Sequence, residues 1–228
     1  MSLTHFKKKF WTVFPNTLIL LGVGLVLLAV VPYLRDEIWY FLKQKKGQEF
    51  VLGGSGQRDS VFARYLSSKP ILVEPVDRQF GIVIEKIGVN APVVADVAVS
   101  DEVAYRESLK YGVAHASSSS YPSKEPGNVY LFAHSSLNFW ELGKYAQVFN
   151  LLRKLEAGDR VHIFYEESDF EYRVVNKEVY KGFNTYALTR PVIEPLLTMQ
   201  TCDPPGTTLN RLVVIAKLVN VKSNQRVI

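Results

Sequence analysis

Cys202 is the only cysteine in the chain of 228 residues, so no disulfide can form within the chain and the sulfur is either a small packed group or a nucleophile. It closes the apolar run Leu197-Thr198-Met199-Gln200-Thr201-Cys202 and is followed at once by Asp203-Pro204-Pro205-Gly206, which forces a turn. A thiol at a strand end lies where loops build sites. A second apolar run, Asn128 to Ala133, stops at His134, and a third opens with Arg211 before Leu212, Val213, Val214 and Ile215. The Pro-Pro-Gly turn lets the cysteine run and the arginine run lie side by side, so that Cys202 and Arg211 meet at one rim. Acyl transfer through a thioester needs a nucleophilic sulfur, an acid for the leaving amine and a donor for the oxyanion or adjacent carbonyls. Cys, His and Arg supply those roles, and a guanidinium near a thiol favours the thiolate. Singly, each residue has a plainer reading: a core thiol, a satisfied loop histidine, a solvated cation.

The elements that must position these residues are strands. After Phe80 short apolar or alternating runs rich in Val, Ile, Tyr and Phe are separated by Gly, Pro, Asn and Asp, which predicts strands at Gly81–Ile87, Ala91–Val94, Asn128–Ala133, Arg160–Tyr165, Phe170–Tyr180, Leu196–Thr201 and Arg211–Val219. This is an all-β pattern with short helices, a barrel or sandwich. One helix is expected around Tyr145–Leu155, where Val148, Leu151, Leu152 and Leu155 recur at helical spacing before Gly158. No repeat of solenoid or propeller length is visible.

The amino-terminal part is organised differently. Phe10 to Leu34 carries no charged residue and exceeds the roughly 20 residues that a helix needs to span a bilayer core. Lys7, Lys8 and Lys9 precede it and the larger domain follows, which predicts a cytoplasmic N-terminus and an extracellular domain. Ala29-Val30-Val31-Pro32 is a poor cleavage site, and the run is longer than a signal-peptide core. Asp36 to Lys46 reads as a helical extension, and Gly47 to Asp59, with Gly53-Gly54-Ser55-Gly56, as a flexible break. No Lys-Ser or Lys-Thr pair follows those glycines, so they are not read as a phosphate-cradling loop. The expected organisation is a basic N-terminus at 1–9, a transmembrane anchor at 10–34, a linker at 35–79 and a catalytic domain at 80–228. Hydrophobic residues make up 47% and charged residues 21% of the chain, ordinary usage for a globular domain with an inserted segment. Part of the formal charge of +5 sits in the three leading lysines, and no nucleic-acid footprint remains.

The ordered segments resemble those of the sortases, enzymes that attach surface proteins to bacterial cell walls or to one another. The resemblance runs from about Phe80 to Lys217: Ile84-Glu85-Lys86-Ile87-Gly88-Val89-Asn90-Ala91-Pro92-Val93, then Gly127-Asn128 and His134, then Lys154-Leu155-Glu156-Ala157-Gly158-Asp159-Arg160-Val161, then Thr198-Met199-Gln200-Thr201-Cys202 with Arg211 after it. Met199 replaces a usual leucine at similar volume, and Ala133 stands where many members have glycine. The resemblance implies an eight-stranded β-barrel and a two-step reaction without a cofactor. Cys202 would attack the Thr-Gly bond of a C-terminal sorting signal similar to Leu-Pro-x-Thr-Gly, His134 would move the protons, and Arg211 would hold substrate carbonyls or the oxyanion. An amine from a wall precursor or another protein would release the acyl group. Thr201, Ala133 and His115 are assigned to substrate binding on the same basis. Gly182 to Pro195 corresponds to the loop that shapes substrate choice, and Ser117 to Ser120 read as a polar, mobile loop near the site. The class is open, with likeness to class D or E members; the linker lacks the Asp-Pro-aromatic triplet that plugs the site in many pilus-building members. A catalytically silent barrel used for binding or scaffolding would explain the anchor equally well. A metal hydrolase using His115, His134 and Cys202 lacks the close ligand pairs such sites need.

Overall fold

Val, Ile, Tyr and Phe pack well on a pleated surface, and the runs in which they cluster form strands in a computed structural model that describes residues 3–53, 70–135, 145, 147–182 and 185–223. The strands are β1 (Phe50–Leu52), β2 (Ile71–Val73), β3 (Phe80–Ile84), β4 (Val89–Val97), β5 (Val113–Ala116), β6 (Gly127–Phe132), β7 (Arg160–Tyr165), β8 (Ser168–Lys181), β9 (Pro195–Asp203) and β10 (Asn210–Ser223). Among the described residues the α-helices are α1 (Leu3–Lys45), α2 (Glu102–Tyr111) and the single turn α3 (Tyr186–Thr189). Strands β3 to β10 close a barrel in the order β10-β8-β7-β3-β4-β5-β6-β9. This is the eight-stranded barrel that the resemblance implies.

Side chains alternate across a strand, and the alternation sorts the barrel wall around β9. Directly paired residues share a face, so Val129 and Leu131 of β6, Leu197 and Met199 of β9, and Leu212 and Val214 of β10 form one face. All are buried, and Leu131, Leu197, Met199 and Val214 are fully so, each such side chain stabilising the fold by about 1.5–3 kcal/mol. Tyr130, Phe132, Thr198, Gln200 and Val213 occupy the other face of the same strands. The short helix α3 covers part of that second face: Asn128 donates to the carbonyl of Ala187 at 3.1 Å and accepts from the Thr198 hydroxyl at 2.7 Å.

Several segments differ from the sequence expectation, among them β1, β2 and β5, which it did not include. Tyr145–Leu155, in its described residues, forms no α-helix. Its turns close through i to i−3 bonds, among them Leu152 N to Phe149 O and Leu155 N to Leu152 O, with a 3-10 turn at Leu152–Lys154. Phe149, Leu152 and Leu155, three apart and all fully buried, lie on one side of a 3.0-residue turn as well as on an α-helical stripe. Among the described residues the one long helix in the domain is instead α2, unmarked by an apolar stripe, which starts where the Asp101 carboxylate accepts from Val103 N and Ala104 N, both at 3.0 Å, a capping arrangement.

The amino-terminal helix runs without a break from Leu3 to Lys45. Leu18, Ile19, Leu20 and Leu21 are 51%, 63%, 71% and 61% exposed, and four consecutive positions 100° apart sample every side of a helix. Among the described residues no helix is long and apolar enough to cross a membrane. The end of α1 docks on the barrel. Tyr40 and Lys43 are buried, the Lys43 ammonium donates to the carbonyl of Lys86 at 2.8 Å and lies 4.2 Å from the centre of the Phe50 ring, and Glu37 pairs with Arg153 and Lys154. Phe50 in turn needs Gly88, whose φ is +69° and where a Cβ would sit 2.4 Å from the phenyl ring. Within the stretch read as a linker, β1 and β2 pair in parallel, and Leu52 N donates to Glu85 at 3.1 Å. Of the flexible break expected at Gly47 to Asp59, residues 54–59 lie outside the described residues, and Phe50–Leu52 form β1.

Candidate active site

Thr201 and Cys202 end an apolar strand, and the two neighbouring strands fix their surroundings. In the antiparallel ladder of β9 and β10 the partner of Cys202 is Arg211, so both side chains leave the same face. In the parallel ladder of β6 and β9, Leu131 pairs with Met199 and Phe132 with Gln200. Past the end of β6 the register continues: Ala133 N donates to Gln200 O at 3.2 Å, the Thr201 hydroxyl to Ala133 O at 2.9 Å, and the Ser135 hydroxyl to Cys202 O at 2.5 Å. His134 therefore stands level with Cys202, on the same face. Gly206 N donates to Ser135 O at 2.6 Å, tying the turn after Cys202 to the same segment. Cys202 and Arg211 are thus paired on β9 and β10, and His134 follows the end of β6, the strand on the other side of β9.

Their electrostatics differ from expectation in one respect. The Arg211 guanidinium does favour the thiolate, but burial of Cys202 outweighs it and pushes the thiol pKa up. Burial, with help from the Arg106 charge, pushes the His134 imidazole down, and its buried Nε2 has no hydrogen-bond partner among the described residues. Thiol and imidazole are thus both neutral at rest. Arg211 is buried and its Nη1 donates to the carbonyls of Thr208 and Asn210 at 3.3 and 3.2 Å, which fixes the cation at the rim.

The remaining assignments fall elsewhere. Thr201 and Ala133 face away from the groove and bond to each other, holding β9 against the His134 segment rather than lining a surface. His115 is fully buried and pairs with Leu131, so it shares the interior face, opposite that of His134. Its Nε2 meets the Ser119 hydroxyl and the Ser120 carbonyl at 3.0 and 3.1 Å, and its ring packs on Phe80 and Tyr121. Ser119 and Ser120 are pinned, since Ser119 also accepts from Tyr130 N and Ser120 N donates to Asn128 O. His115, His134 and Cys202 do not converge, and among the described residues no group of three or more potential metal ligands occurs.

Two further residues enter that sequence reasoning did not single out. Tyr105 of α2 stacks on Phe132, with centroids 5.1 Å apart and planes 4° apart, and meets the His134 ring edge to face at 5.9 Å and 89°. Its phenol pKa is pushed up to about 12, by burial first and then by the nearby Cys202 charge. Gln200, two residues before Cys202, shares the groove face. A pocket of about 70 Å³ opens beside the site, with Val99, Phe132 and Leu188 as an apolar wall and Tyr105, Gln200 and Arg211 as a polar one. A larger cavity of about 570 Å³, between the end of α1 and the barrel and lined by Lys43, Glu85 and Arg160, includes none of these residues.

Residues 82–219, more than half of the chain, match the family model described as Sortase domain. The chain belongs to the sortase family. Sortases are cysteine transpeptidases that act on sorting-signal-bearing surface proteins and amine nucleophiles at the membrane or cell surface. Sortase C-1 from Actinomyces oris is similar at 27% identity and a TM-score of 0.52, over 64% of this chain and 76% of that one. Sortase C1 of GBS pilus island 1 shares the fold at 23% identity and a TM-score of 0.53, over 87% of both chains. Sortase E1 from Streptomyces coelicolor, solved with a tripeptide in its active site, shares it at 18% identity and 0.53, over 68% of this chain and 97% of that one. No curated protein matches the chain.

Proposed function

We propose that this sortase cleaves a C-terminal signal of the Leu-Pro-x-Thr-Gly type through a thioester on Cys202 and passes the acyl group to an amine of a wall precursor or another protein. The observation that supports this reading most directly is the pairing of Cys202 with Arg211 across β9 and β10, with β6, which leads into His134, as the other neighbour of β9. His134 takes the thiol proton as Cys202 Sγ bonds to the threonine carbonyl carbon, and the oxyanion forms next to Arg211. The carbon–nitrogen bond then breaks, His134 gives its proton to the departing glycine amine, and the acyl group remains on sulfur. An incoming amine reverses the sequence: it attacks the thioester, loses a proton to His134 and leaves Cys202 as the thiol. A preorganised donor at the oxyanion contributes about 10²–10³ in rate, and the acid–base group about 10²–10⁴.

α1 serves as the single-pass membrane anchor in this reading, with the N-terminus cytoplasmic and the barrel outside. The exposure of apolar side chains on every side of the helix supports it, because such a surface is stable in hydrocarbon and costly in water. Lys7, Lys8 and Lys9 on the amino side set the orientation.

Full-length protein in detergent, given Leu-Pro-x-Thr-Gly-type peptides and hydroxylamine, yields a peptide hydroxamate in the mass spectrum. Cys202→Ala abolishes the product while circular dichroism stays unchanged. A silent binding barrel gives no hydroxamate from any peptide and leaves the Cys202 thiol unreactive toward iodoacetamide.

A further inference from the structure

The groove face of β9 carries a second polar group whose orientation is fixed. Gln200 is half-buried, and its Oε1 accepts from the hydroxyl of Tyr130. Tyr130 is itself buried, and burial keeps its phenol protonated well past the usual range, so the hydroxyl remains a donor. An amide whose oxygen is held from one side presents its –NH₂ on the other. Gln200 and Tyr130 line one pocket with Arg211, together with the apolar surface of Val99, Phe132 and Leu188. Gln200 Nε2 is a donor only, so an incoming acceptor complements it.

We infer that Gln200, oriented by Tyr130, is a specificity-determining residue that donates a hydrogen bond to a backbone carbonyl of an extended peptide, two residues before the acyl carbon attacked by Cys202. The spacing sets the position. Residues two apart on a strand are separated by about 6.8 Å, and an extended substrate lying along β9 advances by the same length over two residues. In a Leu-Pro-x-Thr-Gly-type peptide the matching carbonyl is that of proline. The apolar wall opposite then takes the side chain, and the polar wall takes the backbone. This inference rests on the acyl-transfer reading and adds to it the register of the substrate.

A double-mutant cycle tests it with the full chain in detergent. The probes are a Leu-Pro-x-Thr-Gly-type peptide and its analogue with an (E)-alkene in place of the Pro–x amide; the proteins are wild type and Gln200→Ala. One neutral hydrogen bond predicts that Gln200→Ala lowers kcat/KM for the parent peptide about five- to tenfold. The alkene lowers kcat/KM in wild type by at least that factor, and by several-fold less in Gln200→Ala, because the partner is already gone. Tyr130→Phe, which releases the amide without deleting it, gives an intermediate loss on the parent peptide. Equal losses from the alkene in both proteins overturn the subsite while leaving the acyl-transfer reading intact. A wild type that turns over neither peptide, with Cys202 inert to iodoacetamide, overturns that reading and the subsite with it.

Discussion

Cys202 and His134 are tuned in opposite directions, and the consequence is a definite pH profile. Burial raises the thiol and lowers the imidazole, so over a broad middle range the pair holds one titrating proton between the two groups, as neutral thiol and neutral imidazole. The thiolate–imidazolium pair has the same proton count and is a minor fraction throughout that range. kcat/KM should therefore trace a bell whose acid limb falls below the usual imidazole range and whose alkaline limb lies above the usual thiol range. Arg211→Ala removes the one charge that lowers the thiol pKa, so the pH dependence of iodoacetamide labelling should move to higher pH, with Arg211→Lys in between; an unmoved curve would separate the guanidinium from the thiol. Tyr105 acts on His134 through its ring. Tyr105→Phe keeps the stacking on Phe132 and the edge contact, and should retain nearly full activity. Tyr105→Ala should lower kcat by about tenfold with a smaller change in KM, since a displaced acid–base group costs rate rather than binding.

At the scale of elements, the site depends on β6, β9 and β10 keeping their register beyond the last ladder bonds. The Thr201 hydroxyl to Ala133 carbonyl bond, 2.9 Å long and buried, is the latch that carries the register to His134. Thr201→Val preserves the shape but leaves a buried carbonyl short of a partner, which costs about 1–2 kcal/mol. For a domain of this size that lowers Tm by about 2–8 °C, as differential scanning calorimetry would show; an unchanged Tm would mean the latch is dispensable. The three strands were legible in the sequence because each is an apolar run bounded at one end by a residue able to do chemistry. The Pro-Pro-Gly turn made the Cys202–Arg211 pairing legible too. What failed had physical causes. α2 buries few residues, chiefly Ser108 and Leu109 with part of Tyr105, so it has no apolar stripe to announce it, and Tyr105 could not be placed. Phe149, Leu152 and Leu155 satisfy a 3-10 turn and an α-helix alike. Val113-Ala114-His115-Ala116 is too short and small for a strand signal, so β5 and the inward direction of His115 were hidden. The balance of burial against the Arg211 charge at Cys202 depends on depth, which no sequence spacing encodes.

For the whole molecule, strand directions put the site and the end of α1 toward one end of the barrel. The C-terminal ends of β3, β6 and β9 and the N-terminal ends of β4, β7 and β10 point the same way. α1 docks there, through Lys43 on Lys86 and Glu37 on Arg153 and Lys154. If α1 is the anchor proposed above, one continuous helix packed on the barrel would hold the groove at a set attitude to the bilayer. Reversing the ion pairs with Glu37→Lys should lower turnover of a sorting signal carried on a bilayer-inserted protein by several-fold in vesicles, while turnover of a soluble peptide by the same preparation stays level. Equal rates on both substrates would show that the docking has no orienting role. The central claim, however, is chemical and concerns one atom. Full-length protein mixed with a Leu-Pro-x-Thr-Gly-type peptide, without added amine, and quenched in acid should show in its intact mass spectrum an adduct of the acyl fragment, on Cys202 by peptide mapping and removed by hydroxylamine. An adduct that persists in Cys202→Ala, or peptide cleaved with no acyl group ever on Cys202, would contradict the account.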